Sequence, residues 1–112
     1  MKRFCSILAV MFLLSCSDQQ ITYHEVHYDV SGTAASADIT YATTDGGTAQ
    51  VAAATLPWST GFGAQPGTFL YLSAQNTGST GDITVQIIVN GAPWKSSTSS
   101  GAYVIATASG TL

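Results

Sequence analysis

Charged residues are scarce in this sequence. Of 112 residues only three are Lys or Arg and six are Asp or Glu. Lys2 and Arg3 stand at the start, so Lys95 is the one strong base in all that follows. A chain without a basic patch has no electrostatic footing on a phosphate backbone, which excludes a nucleic-acid partner. Cysteine is as rare. Cys5 and Cys16 are the two thiols, and beyond them there is no disulfide and no cysteine metal site to be made. The folded part must therefore stand on packing alone, which is feasible but modest at this size. Glutamate and lysine, good helix formers, number one and two. No 3.6-residue apolar periodicity of useful length occurs, so helices have little to build on.

One long apolar run exists. After Met1-Lys2-Arg3, residues Phe4 to Leu14 are apolar except for Ser6. Such a run fits the hydrophobic region of an export signal, about 7–15 residues, and falls short of the roughly 20 that span a bilayer. It closes on Leu13-Leu14-Ser15-Cys16. That ending resembles the lipobox of bacterial lipoproteins, with leucine three places before the cysteine and a small residue just before it. The resemblance implies a diacylglyceryl group on the Cys16 sulfur, cleavage after Ser15 and an acylated new amino terminus. The alternative is a plain signal peptide with an incidental thiol. Two or more acyl chains hold a protein stably on a membrane, where one holds it marginally. An aspartate directly after such a cysteine goes with inner-membrane retention in proteobacteria; here Ser17 stands there and the aspartate is Asp18. That favours the outer membrane, where the organism has one.

The resulting division is a leader over 1–15, a lipidated Cys16 with a short tether over 16–21, and a single domain over 22–112. Within the part from Cys16 onward, Lys95 stands against Asp18, Glu25, Asp29, Asp38, Asp45 and Asp82, a net charge of −5 with both histidines neutral. Anionic lipid head groups would repel it, so the membrane partnership falls to the acyl chains on Cys16.

The domain reads as strand, turn, strand. Thr22 to Ser31 alternates Val26, Tyr28 and Val30 on one face with Glu25, His27 and Asp29 on the other, the mark of a half-buried strand. Ala37 to Thr43 follows, with Ala37, Ile39 and Tyr41 inward. Asp45-Gly46-Gly47 is a tight-turn signal before a strand near Ala49 to Thr55. Pro57 cannot donate a ladder hydrogen bond and interrupts the sheet at Leu56-Pro57-Trp58. The stretch Ser59 to Gly67, with three glycines and Pro66, reads as a loop with room for a short edge strand at most. Strands follow over Thr68 to Ala74 and Asp82 to Val89, where Ile83, Val85, Ile87 and Val89 alternate with Thr84 and Gln86. Asn90-Gly91 matches a type I′ hairpin turn. Ala92 to Ser97 and Ala102 to Ser109 complete the set. About seven short strands at roughly ten-residue spacing predict an all-β fold, an antiparallel immunoglobulin-like β-sandwich. A small barrel is the alternative. No internal repeat is visible.

Five blocks carry a likeness: YDVSGTAASADITYATTDGGTAQ (28–50), LPWS (56–59), LSAQN (72–76), GDITVQIIVNG (81–91) and SGAYVIATA (100–108). In order and spacing the chain resembles the small membrane protein family MmpS, best known from mycobacteria. The resemblance implies a β-sandwich outside the cytoplasmic membrane and a non-enzymatic accessory role beside large RND-type exporters of lipids and siderophores. Two departures stand out. Family members hold on through an N-terminal transmembrane helix, where this chain has the lipobox-like ending. Many carry a cysteine pair in the last strands, where this chain has Val85 and Thr107.

Chemistry-bearing constellations are few. His24 and His27 lie three apart on a strand and point to opposite faces, so they do not share an ion without a bulge. No metal site and no cofactor is expected. There is no GxSxG elbow and no aromatic-rich cleft beside a carboxylate pair, so no enzyme is expected either. Pro57 and Trp58 read as structural, with Trp58 plugging the core between sheets. Trp94 lies just past a hairpin tip, where it either packs across the neighbouring strand or stays exposed as a partner contact. Two function classes follow: an accessory subunit docking to an envelope exporter, or a free-standing surface lipoprotein that binds a ligand or another envelope protein.

Overall fold

The computed structural model describes residues 23–112. The leader, Cys16 and the tether, expected over 1–15 and 16–21, lie outside the described residues. Eight strands fill the rest: β1 (His24–Ser31), β2 (Ser36–Ala42), β3 (Thr48–Thr55), β4 (Trp58–Ala64), β5 (Phe69–Asn76), β6 (Asp82–Val89), β7 (Ala92–Ser100) and β8 (Ile105–Thr111). They form two four-stranded antiparallel sheets, ordered β4-β1-β6-β7 and β3-β2-β5-β8. The expected all-β sandwich is present, with eight strands where about seven were expected.

The period-two alternation of four strands makes the core. Val26, Tyr28 and Val30 of β1 and Ile83, Val85 and Ile87 of β6 face Ile39 of β2 and Leu70, Leu72 and Ala74 of β5. All are buried, because these four strands occupy the two central positions of each sheet. Full burial of side chains of this size is worth about 1.5–3 kcal/mol each, enough to hold a disulfide-free domain together.

The extra strand is β4, the edge strand of its sheet, inside the segment read as a loop with room for a short edge strand. Its burial alternates, with Trp58, Thr60, Phe62 and Ala64 inward and Ser59, Gly61 and Gly63 outward. Glycine hides this pattern, since it packs no side chain and disfavours strands. Pairing along seven positions of β1, from His24 with Ala64 to Val30 with Trp58, holds it in place. Gly61 has a local reason. A Cβ there would lie 2.7 Å from the His27 ring, which covers this part of β4. The other corrections are at strand ends: β7 continues to Ser100, and β8 begins only at Ile105 because Gly101–Tyr103 form a turn.

Only β2–β3 and β6–β7 are hairpins within one sheet; every other connection crosses between sheets. The β3–β4 crossing is made by Leu56 and Pro57, joined by a cis peptide bond. The strand order has an internal two-fold. Adding four to each strand number, cyclically, turns β4-β1-β6-β7 into β8-β5-β2-β3, the second sheet read from its other edge. The sequence shows no matching repeat.

Asn90 and Gly91 have φ of 52° and 80°, the left-handed pair of a type I′ turn. In the β2–β3 turn, Asp45 accepts from the Thr43 hydroxyl and from the Gly47 amide. These two bonds hold the Asp45 carboxyl below its usual pKa range.

Tyr28 is the one core residue that also carries a polar duty. Its ring meets Phe62 and Tyr41 edge-on at 5.1 and 5.6 Å. Its hydroxyl donates to the Ala42 carbonyl at 3.0 Å and accepts from the Tyr71 amide at 3.3 Å, tying sheet to sheet. Burial pushes the hydroxyl above its usual pKa range, and the Tyr71 amide partly opposes this. The folded state keeps a proton that the unfolded chain releases near pH 10. The Tyr28 contribution is therefore complete below about pH 10 and is lost as pH rises through the folded value. Thermal melts between neutral pH and pH 11 should show Tyr28→Phe less stable at neutrality by about 1–2 kcal/mol, with a flatter alkaline decline. An alkaline decline unchanged by Tyr28→Phe would contradict this assignment.

Candidate functional site

The outer surface holds the residues that remain for function, and three regions collect them. The first is the seam between β7 and β8, edge strands of the two sheets. Trp94 sits at a β-bulge, where Ile87 pairs with Lys95 and Ile88 with Pro93. A bulge re-aims its side chain, and here the indole swings across to the other sheet. It lies over Gly110 so closely that a Cβ on Gly110 would come within 2.6 Å of the ring. Lys95 Nζ stands 5.2 Å from the ring centroid, a cation–π contact. Trp94 is thus half-buried, packed on β8 rather than across β6, with its outer side capped by the one strong base of the domain.

The second region is the opposite edge. Trp58 opens β4, is half-buried against the core, and its ring lies 5.5 Å from that of Tyr41. Its ring fills the space between β4 and β2. Pro57 beside it is exposed. Each tryptophan thus closes one open side of the sandwich from the same sheet.

The third region was not singled out from the sequence. Phe69 and Tyr71 lie on the outer face of β5, with ring centroids 6.5 Å apart and planes 25° from parallel. Phe69 is 53% exposed. The β2–β3 turn curls over them and walls a depression of about 400 Å³ with Thr43, Thr44, Gly46 and Thr48. The signal was present in FLYL: once Leu70 and Leu72 face inward, Phe69 and Tyr71 must face out.

The charged face of β1 behaves as a solvated strand surface. His27 Nε2 is 4.0 Å from Glu25 Oε2, both largely exposed. His24 is turned to Asn90, whose amide nitrogen lies 2.9 Å from its Nδ1. Among the described residues no three His, Cys, Asp or Glu side chains gather to hold a metal ion. Every buried side-chain nitrogen or oxygen among them has a hydrogen-bond partner. Val85 is buried, whereas Thr107 is exposed between the buried Ala106 and Ala108, so the two side chains do not face each other.

These features define a class of protein: a small all-β sandwich with surfaces suited to contact. The family model described as Mycobacterium membrane protein matches residues 8–108, and the chain belongs to that family, the MmpS family. The match starts inside the apolar run Phe4 to Leu14 and runs to Ala108 in β8. No curated protein matches the chain. No helix among the described residues is long and apolar enough to cross a membrane.

Proposed function

We propose that this protein is a non-enzymatic envelope lipoprotein, held to its membrane by acyl chains on Cys16, that acts as an accessory subunit of an RND-type exporter. The observation carrying this reading is the family match over residues 8–108, which joins the anchoring segment and the sandwich in one unit. The lipid anchor is supported by Leu13-Leu14-Ser15-Cys16. The docking edge is the β7 seam, where Trp94 and Lys95 combine a large aromatic surface with a single positive charge.

Two measurements test it. Cys16→Ala should yield protein without the diacylglyceryl mass, and most of it should leave the membrane fraction. Retention of the variant in membranes would sink the lipid anchor. Crosslinking in intact native cells, followed by purification and mass spectrometry, should recover an RND-type exporter, and Trp94→Ala with Lys95→Glu should lose it. Recovery of outer-membrane or surface proteins alone would favour the second reading, a free-standing lipoprotein that binds a ligand or another envelope protein. Where the organism has an outer membrane, Ser17 rather than an aspartate directly after Cys16 favours that second reading, since it tips the anchor towards the outer membrane, away from an inner-membrane pump.

A further inference from the structure

The strand directions place the start of β1, the end of β4, the start of β5 and the β2–β3 and β6–β7 turns at one end of the sandwich. His24 pairs with Ala64 there, Phe69 with Thr111, and the Asn90 amide donates to the Glu25 carbonyl at 2.7 Å. It is also the end at which the described chain begins, at Tyr23. Cys16 is seven residues earlier. Seven extended steps reach at most about 25 Å, so a chain attached near Cys16 keeps this end close to the bilayer.

That end carries aromatic surface. Tyr23 is 60% exposed and Phe69 53%. The Tyr23 hydroxyl accepts from Gln65 Nε2 at 3.3 Å. A second depression of about 300 Å³ lies against Tyr23 and shares Thr44 and Thr68 with the one over Phe69 and Tyr71. The two depressions adjoin at Thr44 and Thr68, between Tyr23 and Tyr71. Tyrosine and phenylalanine with hydroxyl-bearing neighbours suit the boundary between head groups and acyl chains, where an aromatic body is apolar and its tip stays wet. The charged and titratable groups at this end are Glu25, Asp45, His24, His27 and, on β7 beside Gly110, Lys95; one cation set over the Trp94 ring makes no basic patch for anionic head groups, so zwitterionic lipid fits.

We infer that this end of the sandwich seats on the membrane surface, with Tyr23, Phe69 and Tyr71 entering the head-group region of zwitterionic lipid. The domain then stands on its bilayer through protein contacts as well as through its anchor. This rests on the reading that the chain is held in a membrane near residue 16, by an acylated Cys16 or by the apolar segment before it. The opposite end supplies the control. Tyr103 there is equally exposed, at 59%, but lies beyond the length of β5, about 23 Å away along the strands.

The test uses full-length protein in phosphatidylcholine vesicles with brominated acyl chains. In a Trp58→Phe, Trp94→Phe background, Phe69→Trp and Tyr103→Trp each give a single fluorophore. Bromine quenching should be several-fold stronger for Phe69→Trp than for Tyr103→Trp. Equal quenching, or the reverse order, overturns the seat. Should that background fold poorly, hydrogen exchange of the unaltered protein decides. Vesicles should slow exchange over 43–47 and 65–69 relative to detergent and leave 77–81 and 101–104 unchanged; equal effects at both ends overturn the seat. Flotation with vesicles and the acyl mass on Cys16 are read in parallel. Lipidated, floating protein without end-specific protection sinks the seat alone. End-specific protection without lipid on Cys16 keeps the seat and sinks the lipoprotein reading. Failure to float sinks both.

Discussion

Replacing Asn76 by alanine is expected to lower the unfolding free energy by about 2–4 kcal/mol. Asn76 is the one fully buried polar side chain among the described residues, 1% exposed. Its amide nitrogen donates to the Thr80 carbonyl at 2.9 Å and to the Gly101 carbonyl at 3.0 Å. Its side-chain oxygen accepts from the Gly78 amide at 2.8 Å. One side chain thus holds together the β5–β6 connection and the β7–β8 turn, which cross side by side between the two sheets. Truncation leaves two carbonyls and an amide without that partner, and the penalty for buried unmet groups exceeds the net worth of the bonds lost. Against a typical total of 5–15 kcal/mol the loss is large. Urea denaturation measures it; a change below about 1 kcal/mol would mean that water replaces the side chain at little cost.

Asn76→Asp adds a sign that alanine cannot. An ionised carboxylate there turns an acceptor towards two carbonyls and loses both donors. Burial and those carbonyls raise the folded-state pKa of the new carboxyl above that of the unfolded chain, near 4. The penalty is therefore full at neutral pH and shrinks as pH falls through the folded value, because the protonated acid regains one donor. Stability of this variant should rise on mild acidification, relative to wild type. A variant with no such recovery would show that the two carbonyls are not what the amide serves.

The second large effect is expected at Gly32. It has φ of 133°, and a Cβ there would lie 2.2 Å from the backbone oxygen of Asp82. Across the same contact, Gly81 has φ of 103°, and its Cβ would lie 2.8 Å from the Ala34 backbone. The β1–β2 and β5–β6 connections, equivalent under the two-fold of the strand order, therefore touch backbone to backbone. Reciprocal bonds lock them: the Thr33 amide donates to Asp82 Oδ1 at 2.8 Å, the Asp82 amide donates to Thr33 Oγ1 at 3.0 Å, and the Ala34 amide donates to the Asp82 carbonyl at 3.1 Å. Gly32→Ala should cost on the order of 3 kcal/mol or more, since strained backbone and a backbone clash add. Gly46→Ala separates the two causes. Gly46 has φ of 89° with nothing near its missing Cβ, so only about 1 kcal/mol of strain should appear. Equal losses at the two glycines would mean that the close approach of the connections contributes nothing.

What depends on one strand at a time can be read from the residues alone. Val26-Tyr28-Val30 and Ile83-Val85-Ile87 alternate with polar neighbours, so their inward faces were legible without a partner strand. Asn90-Gly91 announced its turn, because few residues accept two successive left-handed conformations. The scarcity of charge and the confinement of both cysteines to the first 16 residues bounded the partners and the means of stabilisation. Even Phe69 and Tyr71 were written in the alternation of FLYL, although nothing there says that the Asp45 turn would overhang them.

Tertiary structure alone decided what depends on two distant segments. The inward Trp58 and Phe62 of β4 are separated by Thr60 and flanked by Gly61 and Gly63, so glycine masks their alternation; pairing with β1 makes this segment a strand. The division into four and four strands follows from which edges meet, a property of no single segment. Trp94 could be read as exposed or packed until a bulge in β7 and a bare Gly110 on β8 met across the seam. Asn76 stands in the polar run Gln75-Asn76-Thr77-Gly78-Ser79-Thr80, and burial made it the polar centre of one end of the sandwich. A residue's own strand fixes which way its side chain points; only the folded chain fixes what it meets there.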